Sequence, residues 1–278
     1  MKPTTMPGNP EKELTRLRGL NKARKTSRDR IALTTWPKGR DAKVHCTIAL
    51  EWDPAAAMHP RIVPITLIAY AFAQALKQNP AANRRVALWK IRPHKTVSIS
   101  FAVDDGDDLR IAVLERANEL NPKELQHALR LVARDARLGI GPLARCTRLV
   151  SYAPVALGRP LLKIWSLLTA GFGIGMLGVP GAPFGAVLLS SVEKFRLPAA
   201  NVPLVPFTRC AFVCAVGAVK PAVIVRDGEA VVANVVELSV SIDHRICDAS
   251  QLAAFLHDFE GAFYASPKQS DVTNVNPT

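Results

Sequence analysis

"SVSIDHRICDAS" (239–250) is the stretch on which the reading of this chain turns. Apolar and polar residues alternate as far as Ile242, and three ionisable residues, Asp243, His244 and Arg245, follow without a break. The alternation predicts a half-buried strand. Asp248, four residues past the histidine, is a good helix N-cap, because a carboxylate there is favoured by the free N–H groups and the dipole. "SQLAAFLHDFEGAFY" (250–264) then reads as an amphipathic helix with Leu252, Phe255, Leu256, Phe259 and Phe263 inward. The strand thus delivers His244 to a corner where the chain leaves the sheet. Local backbone contacts at such a corner can fix the tautomer and leave one ring nitrogen as a base near neutral pH. On spacing alone, H-x-x-x-D fits a satisfied structural histidine better than a catalytic one.

Upstream, "AVIVRDGEAVVANVVELSVSID" (222–243) reads as a hairpin around Asp227-Gly228 with a long second arm. "FGAVLLSSV" (184–192) and "RCAFVCAVGAV" (209–219) read as further strands, as do "KVHCTIALEW" (43–52), "TVSISFAV" (96–103) and "LRIAVL" (109–114). "PITLIAYAFAQALK" (64–77) is apolar on nearly every face, which predicts a buried helix. In "NPKELQHALRLVARDARLG" (121–139), Asn121 is placed to cap, Pro122 to open the helix, and Glu124 to reach back to the cap. Helices and strands mix without regular βαβ alternation, so the fold class expected is α/β (α+β), a sandwich or mixed sheet with packed helices, rather than a dinucleotide-binding fold.

The 278 residues, 49% hydrophobic and 21% charged, suit a globular protein with a substantial core. The formal net charge is +13, and residues 1–45 hold twelve Lys/Arg against four Asp/Glu. That excess suits a phosphate-bearing ligand, an acidic protein or an anionic membrane. Nucleic acid is not expected, because the basic residues are not interleaved with aromatics and no zinc-finger or RNP pattern occurs. The five cysteines show no C-x-x-C spacing, which points to reduced core thiols, and with no signal peptide the expected location is cytoplasmic. His45, His94 and His127 lack metal-ligand spacing, and His257 is expected on the surface, so no metal is expected.

"SVSIDHRICDASQLAAFL" resembles the C-terminal signature of the acyltransferase catalytic domains of 2-oxo acid dehydrogenase complexes. Its H-x-x-x-D core is similar to that of chloramphenicol acetyltransferase and of peptide-synthetase condensation domains. The "GAVKPAVIVRDGE" hairpin, "GAVLLSSV", "VSISFAVDDGDDLRIAVLERANELNPKELQHALRLVARDAR" and "SRDRIALTTW" extend the likeness over roughly residues 28–265, with a gap from about 143 to 182.

The resemblance implies a chloramphenicol acetyltransferase-like two-layer sandwich and a homotrimer, or multiple of trimers, with active sites between subunits. It implies transfer of an acyl group from coenzyme A or an acidic acyl carrier protein to a thiol, hydroxyl or amine. His244 would be the general base. Ser190 would steady the oxyanion from the neighbouring subunit, with Ser191 the alternative on the opposite strand face. Asp248 would hold the histidine loop by pairing with an arginine of the early helix, Arg28 first and Arg30 second. Cys247 falls at a position the family fills with varied apolar residues, which implies packing. Ala249, Ser191 and Glu193 depart from the family pattern.

A single catalytic domain is expected over 14–266, with disordered tails at 1–13 and 267–278. No lipoyl domain precedes it, so a stand-alone relative without a covalent lipoyl group is expected. The hydrophobic insertion 143–182 contains "IWSLLTAGFGIGMLGVPG" (164–181), eighteen residues without a charge. It is open to several roles: cover for a sheet face, extra oligomer contact, the lining of an acyl channel, or contact with a membrane. Two other functions remain in play beside the enzyme: a non-catalytic scaffold of the same fold, and a membrane-associated protein anchored by residues 160–181.

Overall fold

The computed structural model describes residues 27–36, 38–53, 62–104, 106, 109–152 and 154–264. The terminal tails expected at 1–13 and 267–278 lie outside the described residues. Among them, strands β1 (Lys43–Glu51), β4 (Ile99–Asp104), β5 (Leu109–Leu114), β6 (Val187–Ser191), β7 (Phe212–Val216), β8 (Lys220–Arg226) and β9 (Glu229–Asp243) form one mixed sheet. Its order is β1-β9-β7-β6-β4-β5, with β8 on the outer half of β9. β4, β6 and β7 are parallel neighbours, and the other pairings are antiparallel. β2 (Arg84–Ala87) and β3 (Lys90–Pro93) make a separate hairpin.

The β8–β9 turn has both Asp227 (φ 53°) and Gly228 (φ 86°) in the left-handed region, the conformation a two-residue turn needs to match strand twist. The first half of β9 pairs only with β8, and the second half lies between β1 and β7. Burial along β9 follows: alternating in the arm, continuous where it is flanked on both sides.

Helices α1 (Ser27–Thr35), α2 (Pro64–Gln78), α3 (Pro122–Arg137), α4 (Pro142–Tyr152), α5 (Val155–Ser166) and α6 (Ala249–Tyr264) complete the fold. α3 starts with the expected capping box, Asn121 accepting from the Glu124 amide and Glu124 from the Asn121 amide. α2 and α6 pack on one face of the sheet, where Phe72, Phe212, Phe255 and Phe259 stack with ring centroids 4.9–6.1 Å apart. Such contacts add to the area each ring buries.

The other face has its own smaller core of Ala170, Phe184, Leu188, Cys210 and Val213. Part of its cover comes from the hydrophobic insertion. α5 runs into a π-helical turn at 167–171, Trp165 meets Phe184 edge-on at 6.2 Å, and the Ser166 hydroxyl donates to the Phe207 carbonyl at 2.8 Å. Among the described residues, no helix is long and apolar enough to cross a membrane.

Candidate active site

β9 ends at Asp243, and the His244 amide donates to the Ala42 carbonyl at 2.9 Å, which ties the turn back to the start of β1. Ile246 and Cys247 both donate their amides to the Asp243 carbonyl. Inside this tight turn the His244 Nδ1 lies 3.1 Å from the Cys247 carbonyl. A carbonyl only accepts, so Nδ1 carries the hydrogen, and Nε2 of the neutral ring holds the lone pair. Trp36, just past α1, sets its ring edge-on to the imidazole at 5.2 Å.

Two arginines brace the turn. Arg245 grips Asp243 in a buried bidentate pair, Nε to Oδ1 at 2.9 Å and Nη2 to Oδ2 at 2.6 Å. The Gly39 backbone lies against this pair, and a Cβ there would come within 2.8 Å of the guanidinium. From outside the turn, Arg84 of β2 donates to the Ile246 carbonyl at 2.9 Å and pairs with Asp29 of α1 at 3.2 Å. Sequence reasoning singled out Arg245 but not its bracing role, and missed Arg84 and Trp36. Arg84 and Arg85 stand in a stretch with no strand-like alternation, and their burial depends on carbonyls from distant segments.

Asp248 caps α6: its Oδ1 accepts from the Gln251 amide at 2.9 Å and the Ser250 hydroxyl at 2.8 Å. Arg28 sits in α1, but its side chain lies outside the described residues. Cys247 is buried and packs in the main core. Burial also pushes the Cys210 thiol up to about 12 and Cys214 well above its ordinary value, so neither is a ready thiolate at neutral pH. Among the described residues, no group of three or more His, Cys, Asp or Glu is placed to hold a metal.

Ser190 and Ser191 end β6. Val187 and Leu189 pack in the helix-side core and Leu188 in the opposite one, so alternation puts Ser190 on the insertion side and Ser191 on the helix side. The Ser191 hydroxyl accepts from the Glu193 amide at 3.4 Å, a local turn contact.

The sheet register separates Ser190 from His244 within one chain. Val187 is level with Phe212 and Ile242, whereas Ser190 is level with Ala215 and Ser239. β6 and β9 run in opposite directions, so their C-terminal ends point to opposite ends of the sheet. Three residues of rise, two strand spacings and the two steps from Ile242 to His244 put the pair on the order of 15–20 Å apart.

The family model for 2-oxoacid dehydrogenases acyltransferase (catalytic domain) matches residues 40–141 and 202–269, more than half of the chain. The unmatched stretch between them contains the insertion and also β6 with Ser190. The dihydrolipoyllysine-residue acetyltransferase component of the pyruvate dehydrogenase complex of Rickettsia typhi is 26% identical over 194 residues, 69% of this chain. The chain spans only 38% of that relative's length.

Among solved structures, a probable dihydrolipoamide acetyltransferase from Listeria monocytogenes has a TM-score of 0.59 at 19% identity, with 97% of each chain covered. The dihydrolipoamide acetyltransferase of Azotobacter vinelandii has a TM-score of 0.54 at 19% identity, covering 84% of this chain and 87% of that one. That structure addresses a serine, a histidine and an asparagine in its catalytic mechanism. These likenesses show the expected fold, a mixed sheet with packed helices.

Proposed function

Because the chain belongs to the 2-oxoacid dehydrogenase acyltransferase family, we propose that it moves an acyl group from a thioester donor to a thiol, hydroxyl or amine acceptor, with His244 as general base. The observation that carries this reading is the His244 tautomer. The bond from Nδ1 to the Cys247 carbonyl leaves the basic lone pair on Nε2, and two arginines brace the turn. His244 Nε2 accepts the proton as the acceptor's heteroatom bonds to the acyl carbon. When the carbon–sulfur bond breaks, the imidazolium returns that proton to the leaving thiolate, and the base is regenerated. The donor is acyl-CoA or an acidic acyl carrier protein, and a net charge of +13 suits either anion.

Ser190 steadies the oxyanion, and it does so for a neighbouring subunit. The separation of Ser190 and His244 within one chain supports this arrangement, and with it a homo-oligomer, taken as a trimer or a multiple of trimers. The A. vinelandii relative supports a serine–histidine pairing, and Asp248 stands at the position four residues after the histidine. Asp248, with Arg28 of α1, holds the corner.

The test is thiol release from a panel of acyl-CoAs and acyl carrier proteins. His244→Ala is expected to cost roughly 10²–10⁴ in rate, and Ser190→Ala about 10²–10³. Co-expressing the two variants in equal amounts is expected to restore about a quarter of wild-type turnover, since half the histidines and half the serines remain and must meet across an interface. Failure to recover activity in mixed oligomers overturns the shared site. A wild-type oligomer inert towards every donor overturns the enzyme reading and leaves the scaffold.

A further inference from the structure

The π-turn that ends α5 is ringed by arginines that the proposed chemistry does not use. Arg85 of β2 donates through Nε to the Gly171 carbonyl at 3.0 Å and through Nη1 to the Pro93 carbonyl at 2.7 Å. Arg209 donates through Nε to the Ser166 carbonyl at 3.3 Å and through Nη1 to the Val86 carbonyl at 2.8 Å, and its guanidinium lies against Gly171. Arg92, opposite Arg85 on β3, sets its guanidinium over the Phe172 ring at 5.2 Å. Residues 171, 172 and 173 thus touch three positive charges.

Among the described residues, none of these three arginines meets a carboxylate. The segments that come together here fall within 54–103, 136–192 and 194–226, and these contain no Asp or Glu. Burial, and then the Arg92 guanidinium, lower the pKa of Arg85, and burial, then Arg245, lower that of Arg209. Both are cations short of counter-charge. The carbonyls of the turn do not account for the whole set. Nη2 of Arg85 and of Arg209 bonds to nothing in the protein, and the Arg92 side chain makes no hydrogen bond. Arg92 Nε and His94 Nε2 are buried without a partner, a state that a bound ion relieves.

We propose that Arg85, Arg92 and Arg209 bind a phosphate-class dianion, which enters past Gly173 and takes the donors they leave open. Guanidinium forks match the oxygens of such an ion two at a time. Three uncompensated charges favour a dianion over a carboxylate, which neutralises only one of them. Gly173 is exposed, and a Cβ there would come within 2.9 Å of Arg85 Nη2, so a side chain at this position would close the way in. His94, beside Arg85, adds a further donor in its Nε2–H tautomer. The inference does not depend on the acyltransferase reading, because the occupant is the free ion, and the phosphates of an acyl-CoA are the competing source.

The experiment is thermal unfolding of the intact protein as sodium phosphate replaces sodium chloride at constant ionic strength. A saturable rise in melting temperature is expected with phosphate and not with acetate. Arg92→Gln removes a side chain without a hydrogen bond in the protein. It is therefore expected to keep the melting temperature in chloride and to weaken phosphate binding roughly 10-fold. Arg209→Lys keeps the charge but loses the fork, and is expected to weaken binding as well. Arg130→Gln, on the exposed side of α3, removes one positive charge elsewhere and is expected to leave phosphate binding as it is. No saturable shift with phosphate, or a shift that Arg92→Gln and Arg209→Lys both retain, overturns the proposal. A shift with coenzyme A where phosphate gives none overturns it too, and assigns the arginines to the thioester donor.

Discussion

The two faces of the sheet are built on different terms. On one face, α2 and α6 bury a stack of four phenylalanines, and both helices lie in stretches that match the family model. On the other, a five-residue buried core is roofed in part by α5 and its π-turn, within a stretch the family model passes over. The first face holds the fold together. The second carries what distinguishes this chain from the family pattern, and its outer surface exposes Leu157, Leu161 and Ile164.

The sharpest test of this contrast is stability. Phe72→Ala removes a fully buried ring in contact with three others and is expected to cost about 3–5 kcal/mol in denaturant unfolding. Phe184→Ala, on the insertion side, is expected to cost less, because most of its partners are half-buried and can close in. Equal losses would break the comparison.

The β2–β3 hairpin touches both regions through adjacent residues. Arg84 donates to the Ile246 carbonyl in the histidine turn, and Arg85 donates to the Gly171 carbonyl at the π-turn, at 3.0 Å. Gly173, at φ +74°, leaves room for that guanidinium, since a Cβ there would come within 2.9 Å of it. Arg84→Met is expected to cost about 1.5–3 kcal/mol and to lower thioester turnover. Arg85→Met is expected to cost a similar amount and leave turnover nearly intact. Hydrogen exchange at 167–173 together with kcat for both variants would check the split.

A separate effect is expected on pH dependence. His94 lies beside Arg85, and burial, with that guanidinium adding to it, lowers its pKa to about 3. The folded value is below the unfolded value of 6.5, so below pH 6.5 the unfolded chain binds a proton the folded chain does not. Stability is therefore lost as pH falls from about 6.5 towards 3, by at most ~1.4 kcal/mol per pH unit. His94→Gln is expected to flatten that slope in urea titrations at pH 4 to 7, and an unchanged slope would remove His94 from the account.

Much of the fold was legible because it rests on local pattern. The capping box at Asn121 and the Asp227-Gly228 turn are chemistry between near neighbours, and both stand where expected. β2 and β3 were not legible, because Arg84, Arg85, Arg92 and His94 break any apolar alternation. They are held by carbonyls from residues far away in the chain.

At the site, the strand, the histidine at its end and the cap at Asp248 were open to sequence reading. The bracing by Arg84 and the Trp36 ring was not. By itself the sequence determined the strands of the main sheet, the helices α2, α3 and α6, and that a strand ends on His244, since periodicity and capping depend on neighbours a few residues apart. Only the tertiary structure decided which ring nitrogen carries the proton, which face each serine takes, and that Ser190 and His244 stand at opposite ends of one sheet. Those depend on turn closure and strand register, which emerge only when distant segments pair.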